Sequence, residues 1–278
     1  PDRKLHLIFC DAGQGDATYI RFPNGGDMLI DGGPDKSVLA CLGRHMPFYD
    51  RKIDVVVATH PQKDHIGGLA EVVKRYKVGH FLTVPVAHSI EEYEYLKKQI
   101  EIHPILVHYL TRGDRFRFSE VVLRTIWPDK NWLIDELDIS KLQSLTAEQL
   151  IGIPTLRDLN LFSLYLHLNF HNFDILLTGD GDREVQLLLA NLGLDHEIPE
   201  KVEVLKVPHH GSKTGMTEEF IKHVRPKFSV IEVGKNSYGH PAQSVIEKLS
   251  QYGKVFRTDK GKDVVIITDG YRTDVRYR

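Results

Sequence analysis

Two imidazoles and a carboxylate fall within six residues in the run Thr59-His60-Pro61-Gln62-Lys63-Asp64-His65-Ile66-Gly67-Gly68. His60, Asp64 and His65 offer nitrogen and oxygen donors that suit a borderline or hard divalent ion. Three further runs carry the same kind of side chain. Thr178-Gly179-Asp180 presents a carboxylate able to bridge two ions, Pro208-His209-His210-Gly211-Ser212 presents two imidazoles, and Asn236-Ser237-Tyr238-Gly239-His240-Pro241 presents another. A single His in such a place is ordinarily a surface or core residue. Four loops jointly rich in His and Asp predict a metal site.

What makes the four loops comparable is the element before each. Ile53-Asp54-Val55-Val56-Val57-Ala58, Ile175-Leu176-Leu177, Val204 to Val207 and Ser229 to Val233 all read as buried strands, so each ligand run starts where a strand ends. A rigid sheet can fix the geometry of side chains held there. Upstream, Leu5 to Cys10, Ala17 to Phe22 and Met28 to Ile30 read as strands joined by tight turns. Ser37 to Met46 reads as a helix. Helices are predicted near Leu69–Tyr76, Ile90–Ile100, Arg183–Leu192, Thr217–His223 and Ala242–Tyr252. Strands are predicted at Phe81–Val84, Ile105–Tyr109, Val121–Ile126, Leu161–Leu168, Phe173–Leu177, Val255–Arg257 and Val264–Thr268. The pattern is sheet on sheet with helices outside rather than regular βαβ alternation. Residues 129–157, acidic and poor in β-formers, read as an inserted helical excursion, either a lid at the rim or a surface decoration.

Length and composition permit a single domain over residues 1–278, and 41% hydrophobic with 27% charged residues describes an ordinary globular chain. No apolar stretch approaches the ~20 residues needed to span a bilayer, so no membrane contact is predicted for the segment itself. Two compartments stay open: the cytoplasm, or an extracytoplasmic one if the segment was cut from a longer secreted or membrane-anchored protein. Cys10 and Cys41 show no CxxC pattern and read as buried free thiols. The net charge of -2 is not that of a dedicated nucleic-acid binder. Residues 201–278, however, hold 15 Lys/Arg against 9 Asp/Glu, a balance of +6 that leaves -8 on residues 1–200. That asymmetry favours an anionic substrate if it forms one face beside the site, and means little if the lysines are scattered. No interface stripe fixes an oligomeric state.

The ordered set Asp11-Ala-Gly-Gln-Gly-Asp-Ala17, Leu29-Ile-Asp-Gly-Gly33, Thr59 to Gly68, Leu176-Leu-Thr-Gly-Asp180, Leu205-Lys-Val-Pro-His-His-Gly-Ser212, Ser237-Tyr-Gly-His-Pro241 and Arg257-Thr-Asp259 resembles the metallo-β-lactamase superfamily. Within it, the set is similar to the hydrolase domain of the ComEC/Rec2 competence proteins. The resemblance implies an α/β (α+β) fold, a four-layer αββα sandwich with a dinuclear site at the open edge between the sheets. It implies that His60 serves one ion and Asp64 with His65 the other, with Asp180 between them and His210 and His240 completing the set. Which of His209 and His210 is the ligand stays open. Asp31 would orient a ligand by hydrogen bonding from behind it, and Asp16 with Gly13-Gln14-Gly15 would shape the floor. Asn160 and Ser163 occupy the region where many relatives carry another ligand His.

Gln62 departs from the family pattern, which places a His or an acid there. An amide oxygen is poor for Zn²⁺ and tolerable for Mn²⁺ or Mg²⁺; alternatively Gln62 points away and water replaces it. Two divalent ions, Zn or Mn, are therefore implied. One is well held by Asp64, His65, Asp180 and His240, and one, near His60 and Gln62, is weaker. The implied activity is hydrolysis of a phosphodiester, DNA or RNA, by a metal-activated water. Asp64 would assist as base, His209 or His210 would stabilise charge, and Lys206 and Lys213 would contact substrate. Two alternatives remain: an esterase for phosphorylcholine-type or other small phosphodiesters, and a degenerate site that binds without turnover.

Overall fold

Leu5, Leu7 and Phe9 of β1 (Leu5–Phe9) turn one way and Ile8 the other, and all four are buried. A strand covered on both faces lies inside a layered stack, which is why its sequence is almost continuously apolar. The computed structural model describes residues 2–138 and 152–278. After β1 come β2 (Thr18–Arg21), β3 (Asp27–Ile30), α1 (Val38–His45), β4 (Lys52–Val57), α2 (Lys63–Ile66), α3 (Leu69–Arg75), β5 (Lys77–Thr83), β6 (Val86–Ala87), α4 (Glu91–Ile102) and β7 (Leu106–Tyr109). Then follow β8 (Arg115–Phe118), β9 (Val121–Trp127), α5 (Lys130–Leu137), β10 (Ile153–Pro154), β11 (Tyr165–Phe170) and β12 (Phe173–Leu177). The chain ends with α6 (Arg183–Asn191), β13 (Val204–Lys206), α7 (Glu218–Val224), β14 (Phe228–Ile231), α8 (Gln243–Ser250), β15 (Lys254–Arg257), β16 (Val264–Thr268) and β17 (Thr273–Tyr277).

These strands form an eight-stranded sheet, β17-β16-β1-β2-β3-β4-β5-β7, a seven-stranded sheet, β15-β14-β13-β12-β11-β9-β8, and a separate pair, β10-β6. One apolar layer fills the space between the two large sheets, with Leu7, Met28 and Val57 from the first sheet meeting Leu166, Ile175 and Val204 from the second. A second layer packs α1, α3 and α4 on the outer face of the first sheet through Leu42, Val72 and Leu96. A third packs α6, α7 and α8 on the outer face of the second through Leu189, Ile221 and Leu249. The architecture is the αββα sandwich that the sequence predicts.

Strands β3, β4, β5 and β7 run parallel in one sheet, as do β12, β13, β14 and β15 in the other. Loops leaving the carboxyl ends of parallel strands gather at one edge, the usual place for a site in such folds. Asp31 follows β3, His60 follows β4, Asp180 follows β12, His210 follows β13 and His240 follows β14.

Four details differ from the sequence reading. Cys10 and Cys41 are buried but not free: they form a disulfide with Cα atoms 5.8 Å apart. The end of β1 and the inward face of α1 meet in the same apolar layer, which brings the two sulfurs together. Strands β8 and β17 carry no sequence prediction, because each is a sheet edge with a charged, half-exposed face and so lacks the apolar run of an interior strand. Strand β11 starts at Tyr165 rather than Leu161, since Asp158 caps a short 3₁₀ turn over Leu159–Phe162. Asp64 and His65 sit on a helical turn, α2, rather than in open loop. Of the excursion at 129–157, α5 is helical and capped by the Asp129 carboxylate, which accepts from the Asn131 and Trp132 amides. Residues 139–151 lie outside the described residues.

Candidate metal centre

Asp31 organises the loop after β4. Its carboxylate accepts from the Thr59 amide at 2.8 Å, the Thr59 hydroxyl at 2.7 Å and His65 Nδ1 at 2.7 Å. With Nδ1 so occupied, His65 Nε2 faces Asp180 Oδ1 at 3.3 Å. His210 repeats the device: Nδ1 donates to the Glu232 carbonyl at 2.8 Å, and Nε2 lies 3.2 Å from Asp180 Oδ2 and 3.3 Å from Asp64 Oδ2. A ring nitrogen anchored by the protein fixes the tautomer and leaves the other as a lone-pair donor. Asp64, His65, Asp180 and His210 thus bring one ligand atom each within 4.8 Å of one another.

The backbone is bent to achieve this. Asp31, His209 and His210 adopt left-handed conformations with φ of 59°, 49° and 51°, each a cost of about 1–3 kcal/mol that concentrates at functional sites. Gly15, at φ 153°, sits where a Cβ would lie 2.1 Å from the Asp64 carbonyl oxygen, so only glycine lets the Asp11–Asp16 turn close beneath the ligands. There the Asp16 amide donates to that carbonyl at 3.1 Å.

Beneath the cluster lies a second ring of charge. The Lys206 ammonium is buried, paired with Asp16, donating to the Gly179 carbonyl at 2.7 Å and 3.6 Å from Asp180. Burial opposes its charge, but Asp16 and Asp180 hold its pKa above the ordinary value. Glu232 accepts from the Ala17 amide and the Thr18 hydroxyl, and burial, then Asp16, pushes its pKa up to about 8. For His65 and His210, burial disfavours the charged ring, but Asp180 leads the surrounding groups that raise each pKa well above the usual range. Among the described residues, Lys206 is paired with Asp16 and Asp180, while Asp31 and Asp64 are paired only with imidazoles, a balance that fits divalent metal.

His60 is fully buried, and its Nε2 has no hydrogen-bond partner among the described residues. Burial, and then neighbouring His65, pushes its pKa down to about 3 against the opposing pull of Asp180, Asp64 and the Gln62 side chain, so the ring is neutral and its lone pair available. Asn160 Oδ1 is likewise buried without a partner among them. Ser163, at the end of the same turn, lies 3.5 Å from His60 Nδ1.

An open polar cleft of about 490 Å³ covers these groups, lined by Gln14, Gln62, Asp64, Asn160, Asp180 and His210 among others. An apolar cavity of about 430 Å³ lies elsewhere, between α4 and strands β5 and β7, and none of the clustered side chains lines it. Cys41, His45 and Asp263 also converge, but the sulfur is committed to the disulfide and the carboxylate to Arg44 and His45.

The predicted residues are therefore placed unequally. Asp64, His65, Asp180 and His210 come together, His60 lies with its ring 4.2 Å from that of His65, and Asp31 is hydrogen-bonded to His65 from behind. His240, grouped with Asp64 and His65 from sequence, lines the cleft with its ring 6.5 Å from that of His210, while His210 takes the place beside them. His209 turns from the cluster, its Nδ1 3.9 Å from Asp182 and its ring 5.7 Å from His240. Lys206 points inward, out of reach of a substrate in the cleft, and Lys213 is exposed but outside the cleft lining. Sequence reading misses Glu232, whose one signal is a lone acid within the apolar run Val230-Ile231-Glu232-Val233.

The family model of the metallo-beta-lactamase superfamily matches residues 10–234. The chain is 28% identical over 273 residues to ComE operon protein 3 of Bacillus subtilis, covering 90% of this chain and 31% of that protein. It is 26% identical over 249 residues to Recombination protein 2 of Haemophilus influenzae, covering 87% and 26%. The chain therefore spans less than a third of the length of these curated relatives. Among solved structures, the metallo-beta-lactamase fold protein YhfI from Bacillus subtilis matches 94% of this chain and 99% of its own at a TM-score of 0.56. At 11% identity that likeness is one of fold.

Proposed function

This chain belongs to the metallo-beta-lactamase superfamily, and from that premise we propose that it is a metal-dependent hydrolase of phosphodiesters, with DNA or RNA as substrate. The observation that carries the reading is the convergence of Asp64, His65, Asp180 and His210 ligand atoms within 4.8 Å at the floor of an open cleft. Those four would hold one divalent ion, Zn or Mn. His60, with Gln62 beside it and Asp180 shared, would hold a second more weakly. Such ions supply Lewis acidity and lower the pKa of a nearby water.

The chain's own groups account for the rest. Asp31 and the Glu232 carbonyl keep the two ligand imidazoles in the required tautomers. Lys206 neutralises Asp16 from below, so the carboxylates can stay ionised in a dry site. Asp182, despite opposing burial, raises the pKa of His209, so this half-buried imidazole at the mouth is suited to stabilise charge on the diester or to protonate the leaving oxygen. Asp64, its carboxylate partly exposed to the cleft, is placed to accept a proton. The similarity to competence proteins supports nucleic acid, and with it a role in DNA uptake. Gln62 supports the rival reading of a site that binds without turnover.

Hydrolysis of bis(p-nitrophenyl) phosphate and of single-stranded DNA, each under Mn²⁺ and Zn²⁺, tests this. Turnover of both that disappears on chelation is expected. Turnover of the small ester alone would move the assignment to small phosphodiesters. Protein inactive under both ions would remove the enzyme reading.

A further inference from the structure

Tyr238 is the exposed aromatic of the cleft. It lines the same opening as Asp64, Asp180 and His210, yet it is 75% solvent-exposed. An aromatic ring left in water at the mouth of a cleft is ordinarily an incidental loop residue, but the backbone that presents this one is held in place. The Asn236 side chain accepts from the Tyr238 and His240 amides at 3.1 Å each, and donates to the Gly234 and His240 carbonyls at 2.9 Å each. At the loop's base, the Gly234 amide donates to Gln14 Oε1 at 3.1 Å. A Cβ on Gly234 would lie 2.4 Å from the Gly13 carbonyl carbon, so this loop and the one flooring the metal cluster are clamped backbone to backbone. The Tyr238 backbone is thus fixed relative to the clustered side chains, while its ring stands in solvent beside His240.

The ring's position gives that rigidity a use. Tyr238 lies 5.8 Å, centroid to centroid, from His240, which lies 6.5 Å from His210. A base attached to a phosphate beside His210 is within reach of the ring. Resting on the phosphodiesterase reading above, we propose that Tyr238 is a platform on which a nucleobase next to the scissile phosphate stacks, and that the enzyme thereby selects single-stranded nucleic acid. Duplex bases are already stacked on one another and cannot offer a face to a protruding ring. Unpaired bases can, and stacking on an aromatic is tolerant of sequence because every base has a π-face. A loop backbone ordered in advance loses little freedom on binding, so more of the contact is retained as affinity. Lys235 is exposed in the same loop, so the segment Lys235–Tyr238 offers a cation for the phosphate backbone beside the aromatic for the base.

The test compares Tyr238→Ala and Tyr238→Phe on a single-stranded oligonucleotide, intact or with one abasic residue beside the cleaved position. Tyr238→Ala should raise KM about tenfold, with the loss falling on KM rather than kcat, and Tyr238→Phe should stay near the parent. The abasic residue should cost the parent a similar factor and the Ala variant almost nothing, because both changes remove the same contact. Independent, additive losses, or an Ala variant as effective as the parent, would overturn the platform while leaving the nuclease reading intact. Equal KM for single and double strands would also overturn it. Failure to cleave any nucleic acid, with bis(p-nitrophenyl) phosphate still hydrolysed, would instead overturn the nucleic-acid reading and the platform with it.

Discussion

His65 and His210 each give one ring nitrogen to a protein oxygen and aim the other at Asp180, at 3.3 and 3.2 Å. Removing the oxygen behind a ring should therefore act on the ligand in front. Asp31→Ala should weaken Mn²⁺ affinity about 10–100-fold, read by calorimetric titration; an unchanged affinity would show that His65 needs no support. Lys206→Met tests the charge beneath. A buried partner stripped from Asp16 should cost about 3–5 kcal/mol in urea unfolding, and a neutral result would mean that Asp16 takes up a proton instead. At this scale the sequence is legible where types are rare and clustered, as at His60, Asp64 and His65. It misleads where function depends on direction. Lys206 lies in a motif, yet a strand's alternation turns it inward, and nothing local says which of His209 and His210 faces the ligands.

Strands β3 and β4 carry Asp31 and His60, so what locks them together also sets the site. Asp27 and Asp54 exchange amide-to-carboxylate bonds at 3.1 and 3.0 Å across that pair, and Asp27 also accepts from the Tyr19 hydroxyl at 3.0 Å. Burial pushes the Asp27 pKa up to about 6 from 3.8. A carboxyl that binds its proton more tightly when folded contributes stability that is full below about pH 4 and lost as pH rises through 6. Against Asp27→Asn, the parent should lose about 2 kcal/mol between pH 4 and 7 in denaturant unfolding; parallel pH profiles would contradict the assignment. The disulfide from β1 to α1 closes a separation of 31 residues. Replacing both cysteines with alanine should lower stability by about 2–4 kcal/mol by the same measurement. Its presence also suits an oxidising compartment. Central strands and amphipathic helices are readable from their apolar periodicity. The edges β8 and β17 are not, because half-exposed strands need no apolar pattern, and the cysteine pairing is not, because it depends on how layers register.

Across the whole molecule, two parallel half-sheets face each other and send their carboxyl-end loops to one rim, which is how candidate ligands 146 residues apart, Asp64 and His210, come within 3.3 Å. The sandwich is legible because its motifs occur in a fixed order along the chain. The cluster is legible only in part: the motifs supply its residue types, but that His210 rather than His240 stands beside Asp64 and His65 is a matter of three-dimensional placement. Crystals soaked in Mn²⁺ and measured at the manganese absorption edge address the centre directly. The predicted result is a strong anomalous peak ligated by Asp64, His65, Asp180 and His210 Nε2, with a weaker one beside His60. A map with no peak at those four side chains, or with manganese held elsewhere, would contradict the account.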